Sequence, residues 1–151
     1  MFSVDVNVAN ISDLYAFQFD VGFTPGILSA ISVTEGSFLA GGGSTLFLPG
    51  TIDNTLGTIS FNADTLIGSI PGVSGSGALA IFGFTTLIAG TSPINILNVT
   101  LLDSTLSPIS STTVNGNATV GAQVVPEPSS LLLLATGLLL ALGIARRKLF
   151  G

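Results

Sequence analysis

The side chains that could do chemistry in this chain are few. Before Pro126 it carries seven acids, Asp5, Asp13, Asp20, Glu35, Asp53, Asp64 and Asp103, and not one base. With no His and no Cys, a Ser-His-Asp triad, a thiol nucleophile and a His-ligated zinc are all excluded. Lys148, the only lysine, lies beyond a long apolar stretch and cannot serve a Ser-Lys pair. Gly72-x-x-Gly75-x-Gly77 has no following lysine and runs into a strand pattern, so it is not a phosphate loop. The acids are scattered without an Asp-x-Asp-x-Asp-Gly loop, which argues against calcium. Asp53 and Asp103 read as turn caps. Two carboxylates can hydrolyse a glycoside, and Glu35, Asp53 and Asp64 qualify by chemistry alone, but nothing in their spacing marks a geometry. The expectation is a protein that is not an enzyme, with no metal and no cofactor.

Binding chemistry is narrowed in the same way. A body with acids and no bases repels phosphate backbones, which excludes nucleic acid. There is no Trp; Tyr15 and the ten Phe read as core, not as a platform for stacking sugars. Asn10-Ile11-Ser12, Asn98-Val99-Thr100 and Asn117-Ala118-Thr119 match a glycosylation sequon but read as turn chemistry.

The elements that must position these residues are strands. Phe2, Val4, Val6 and Val8 alternate with Ser3, Asp5 and Asn7, and Tyr15, Phe17, Phe19, Val21 and Phe23 alternate with smaller or polar residues. Further strands are expected at 27–33, 44–48, 57–63, 78–87, 94–102 and 112–120. Turns are expected at Thr24-Pro25-Gly26, Gly41-Gly42-Gly43, Pro49-Gly50, Asp53-Asn54, Pro71-Gly72, Ala89-Gly90 and Asn115-Gly116, the last as a tight type I′ hairpin. Leu48-Pro49-Gly50-Thr51-Ile52 reads as a turn, not a sortase signal. No stretch before residue 129 has helical periodicity. The fold class is therefore all-β, a jelly-roll sandwich of eight or nine strands, and about 122 residues make one domain.

The C-terminus has a different character. Val125-Pro126-Glu127-Pro128-Ser129-Ser130 precedes fifteen uncharged residues, Leu131 to Ala145, and then Arg146-Arg147-Lys148. Fifteen helical residues span about 22 Å, short of a roughly 30 Å hydrocarbon core, and the snorkelling basic residues and flanking serines make up much of the deficit. Arg146, Arg147 and Lys148 form a membrane stop that stays cytoplasmic by the positive-inside rule, with residues 1–125 outside. The expected organisation is a sandwich at 1–122, a linker at 123–130, a transmembrane helix at 131–145 and a basic tail at 146–151. Met1-Phe2-Ser3 enters a strand with no basic or apolar leader, so a signal peptide is expected upstream of this sequence.

These tail residues, in this order, resemble the PEP-CTERM sorting signal of exopolysaccharide-producing Gram-negative bacteria. The resemblance implies that Pro126, Glu127 and Pro128 are recognised by a membrane exosortase that cleaves nearby. It also implies transient residence in the inner membrane and delivery to the cell envelope or biofilm matrix. The body, from Leu14-Tyr15-Ala16-Phe17-Gln18-Phe19-Asp20 through Asn98-Val99-Thr100-Leu101-Leu102-Asp103, resembles the cohesin jelly roll, a relative of carbohydrate-binding-module sandwiches, with the family's first strand placed before Met1. That family binds a protein module, a dockerin, across one sheet face. The combined expectation is an exported adhesion or scaffold protein with a protein or polysaccharide partner at the cell surface. The alternative is a secreted glycan-binding or glycan-active protein.

Overall fold

The structure is a computed structural model that describes residues 1–122. Seven strands and one short helix form two facing layers: β1 (Phe2–Gly22), β2 (Leu28–Glu35), α1 (Ser37–Ala40), β3 (Thr45–Asp53), β4 (Thr58–Leu66), β5 (Val73–Thr86), β6 (Gly90–Asp103) and β7 (Gly116–Val120). All pairings between these strands are antiparallel. One layer is β2-β5-β1 and the other β3-β4-β1-β6-β7, because β1 belongs to both. Its first half, from Phe2, lies against β5 and its second half, to Gly22, runs between β4 and β6.

The expected fold class holds at the level of an all-β sandwich, with seven strands where eight or nine are expected. The two alternating runs at the start are one strand of 21 residues. Asn10 (φ 53°) and Asp13 (φ 57°) take the left-handed conformation that short polar side chains tolerate. Their N–H groups are received by the Ser76 and Ser74 hydroxyls, and the register with β5 shifts on both sides of Ile11. The strand therefore bends from one layer into the other without ending.

Two expected turns are corrected. Pro49-Gly50 lies inside β3, with Pro49 opposite Asn62. β3 is an edge strand, where a missing N–H costs no ladder bond, and Gly50 supplies φ 75°. Asn115-Gly116 is not a hairpin turn: Gly116 opens β7 opposite Ile94, and the Asn115 side chain accepts the Ile96 N–H at 3.0 Å.

The core is the space between the layers. Phe17, Phe19, Val21, Phe82, Phe84, Leu28 and Ile59 are buried there, with Phe19–Phe82 and Phe23–Phe84 in edge-on contact at 6.1 and 5.3 Å. The four-residue α1 plugs one margin with Phe38 and Leu39. Among the described residues no helix is long and apolar enough to cross a membrane. The expected helix at 131–145 lies outside the described residues.

Candidate binding face

The outer surface of β3-β4-β1-β6 is built by strand parity. Residues whose neighbours turn inward must turn outward, and the register aligns them in rows. Leu48, Ala63, Gln18 and Thr100 form one row across four strands; Leu46, Thr65, Ala16 and Leu102 form the next. Parity alone does not account for the middle of the face. Opposite Phe19–Val21, β4 carries an extra residue between Ile59 and Asn62; opposite Gln18–Asp20, β6 carries one between Leu97 and Thr100. Both bulges contain a left-handed residue, Phe61 (φ 62°) and Asn98 (φ 52°). Each bulge turns two consecutive side chains outward.

Asp20 holds the two bulges together. One carboxylate oxygen accepts the Phe61 N–H at 2.7 Å and the other accepts the Asn98 amide at 2.6 Å. Beneath it, Asn62 is fully buried and donates to the Phe19 and Ile59 carbonyls. The result is a fixed, open surface on which Leu46, Leu48, Phe61 and Leu97 are each 43–56% exposed, with Phe61 and Leu97 flanking the Asp20 carboxylate. Four large apolar side chains exposed on one sheet face form a patch of the kind that a partner surface covers.

Glu35 and Asp64 do come together, whereas Asp53 stays apart. Asp64 is 2% exposed and sits on the core side of β4 between Phe17 and Phe47, with its carboxyl beside that of Glu35. Burial, and then the charge of Glu35, push its carboxyl up to about 7. Glu35 itself accepts the Thr45 hydroxyl at 2.5 Å. A buried carboxyl faced by another acid holds its proton, but at 2% exposure no glycoside reaches it. Asp53 accepts the Thr55 and Leu56 N–H groups and closes the β3–β4 turn. Asp103 does the same for Thr105 and Ser107, as expected of turn caps. Asp13 links three segments through Gly72 N–H and the Ser104 hydroxyl, and the Ser104 bond, then the Gly72 bond, hold its carboxyl below the usual range. Among the described residues no group of three or more acids is placed to hold a metal.

A groove of about 630 Å³ runs between the first half of β1 and residues 109–114. Its walls are aliphatic, hydroxyl and amide side chains with Phe19 at the floor; it contains no carboxylate.

The first 120 residues match the family model of the cohesin domain. The chain belongs to the cohesin family. Solved cohesin structures share its fold. A non-cellulosomal cohesin from Archaeoglobus fulgidus is 15% identical, with 82% of each chain covered and a TM-score of 0.62. The sixth cohesin of Acetivibrio cellulolyticus scaffoldin B, solved in complex with a Cel5 dockerin mutant, is 22% identical over 80% of this chain and 88% of that one, with a TM-score of 0.64. The second type II cohesin module of the ScaA scaffoldin from the same organism is 15% identical over 84% and 85%, with a TM-score of 0.65. Residues 124–148 match the model of the PEP-CTERM protein-sorting motif. No curated protein matches the chain.

Sequence reasoning missed the face of this cohesin domain. Phe61 reads as core, yet it is 56% exposed, because the bulge at residues 60–61 shifts parity. The sequence carries no signal of it: strict alternation from Ile59 puts the apolar Phe61 inward and the polar Asn62 outward, as their types suggest, and the structure reverses both. Pro126, Glu127, Pro128, Arg146, Arg147 and Lys148 lie outside the described residues, as does Phe150.

Proposed function

We propose that this is an exported, non-catalytic scaffold or adhesion protein whose cohesin domain docks a partner protein on the β3-β4-β1-β6 face. The observation that carries the reading is the exposed apolar set Leu46, Leu48, Phe61 and Leu97 on the face that Asp20 braces. The relatives that share the fold include cohesins solved with dockerins, so the partner proposed here is a dockerin-like module. The organisation that goes with it is a binding domain at 1–122, a linker at 123–130, a membrane helix at 131–145 and a cytoplasmic stop at 146–151. Pro126, Glu127 and Pro128 are then the residues an exosortase reads; Arg146, Arg147 and Lys148 hold the helix until cleavage. Delivery is to the envelope or extracellular matrix of a Gram-negative cell, in association with exopolysaccharide. A glycan-active reading draws no support from the buried Glu35–Asp64 pair or from a groove without carboxylates.

Two variants test the two halves separately. Phe61→Asp places a charge in the centre of the face without touching the core, and affinity for the host's captured partner should fall at least tenfold, a loss of about 1.4 kcal/mol. Unchanged capture at native thermal stability would reject this face. Glu127→Gln should leave the tail on the mature protein in the native host, read by intact mass. Removal of the tail from both forms would reject recognition through Glu127.

A further inference from the structure

Three turns meet at one end of the sandwich: 23–27 between β1 and β2, 54–57 between β3 and β4, and 87–89 between β5 and β6. They are tied to one another. Phe23 N–H donates to Gly57 O at 2.8 Å, Leu87 N–H donates to Ile27 O at 2.9 Å, and the Asn54 side chain pairs with both backbone groups of Ala30. Gly90 lies so near Ile27 that a Cβ there would stand 3.0 Å from its side chain. On this fixed tip Leu56 is 71% exposed, Leu87 56% and Ile88 61%, with Pro25 exposed beside them. Tight turns ordinarily carry polar side chains; three large aliphatics together mark a surface that is covered in use.

The topology indicates the cover. β7 pairs Val120 with Gly90, so the chain leaves the domain at this same end. Ten residues, 121–130, then separate it from the fifteen uncharged residues 131–145, a reach of at most about 35 Å. Charge agrees. Among the described residues the one acid in or next to these turns is Asp53, its carboxylate engaged by two backbone N–H groups. Asp13 and Asp103 lie at the opposite end, where they are farthest from an anionic lipid surface.

We infer that the Leu56–Leu87–Ile88 tip is a lipid-contacting surface, seated at the bilayer interface while the tail is inserted. This rests on the proposed membrane role of residues 131–145 for its setting, not for its surface. Apolar side chains at the interface add binding in proportion to the area they bury. The docking face runs along the side of the sandwich, so a body seated on its tip would keep that face open to a partner.

Because the sequence has no cysteine, single cysteines report position. The full chain is reconstituted in vesicles of phosphatidylethanolamine and phosphatidylglycerol with an environment-sensitive dye at Thr55→Cys, Ala89→Cys, Ser69→Cys or Leu138→Cys. Dyes at 55 and 89 should shift to the blue and lose emission to a lipid-borne quencher, whereas the dye at 69, in the turn at the far end, should do neither. Position 138 reports the tail independently. Lipid contact at 138 with 55 and 89 as wet as 69 overturns the tip and leaves the tail standing. Lipid contact at 55 and 89 with 138 in water upholds the tip as a lipid-contacting surface but overturns its seating beside an inserted tail. Water at all of them rejects both.

Discussion

At the scale of the residue, Asp64 and the turn acids pull stability in opposite directions along the pH axis. The carboxyl of Asp64 is pushed up to about 7 by burial, with Glu35 adding to it, so the folded state binds a proton that the unfolded chain releases near pH 4. Its contribution is full below that unfolded value and is lost as pH rises towards about 7, at up to about 1.4 kcal/mol per pH unit. Asp13 and Asp103 are held low, chiefly by the Ser104 and Thr105 hydroxyls respectively. Theirs is present above the unfolded value and is lost as pH falls below it. Stability measured by urea unfolding should therefore peak on the acid side, near pH 4 to 5. Asp64→Asn, neutral and of the same shape, should flatten the decline between about pH 4 and 7, a few kcal/mol at most. A decline as steep in the variant as in the parent would show that another group carries it. A carbon-13 carboxyl titration of the unmodified protein, placing Asp64 at an ordinary value, would reject the account without any variant.

At the scale of the element, close approach matters more than propensity. Gly77 lies on β5 beneath α1, and a Cβ there would stand 2.9 Å from Phe38 Cδ2 and 3.2 Å from its Cβ. Phe38 is itself buried and cannot swing away. Gly77→Ala should cost about 1–3 kcal/mol, read as a lower thermal midpoint, while Gly116→Ala, with nothing within 4 Å, should be nearly silent. Equal midpoints for the two would mean that α1 is not seated on β5. Such contacts also mark where the sequence ran out as a guide. Alternation located the body of every strand, since burying one face of a sheet imposes period two. It could not show that Asn10 and Asp13 bend β1 instead of ending it, because their hydroxyl partners Ser76 and Ser74 are more than sixty residues away. Nor could it show that Pro49 is harmless on an edge, since edges are a property of the assembled sheet. The proposed docking face was hidden for a related reason: the bulge that exposes Phe61 is held by Asp20, a residue of another strand.

For the whole molecule, the decisive property is a body without cations. Residues 1–145 contain no Lys or Arg, so no ion pair between side chains can form among the described residues, and the acids only repel one another. Salt screens that repulsion, with a Debye length of about 10 Å at 0.1 M. Raising sodium chloride should hold or raise the thermal midpoint of the cohesin domain, and a midpoint that falls would reveal attractive pairs that this composition excludes. Association should respond with the opposite sign. A partner that meets Asp20 with basic groups is drawn in by the same acidic field, so its association rate constant should drop as salt rises while the dissociation rate changes little. If the association rate is insensitive to salt, the acids play no part in capture and the four apolar side chains of the face carry recognition alone.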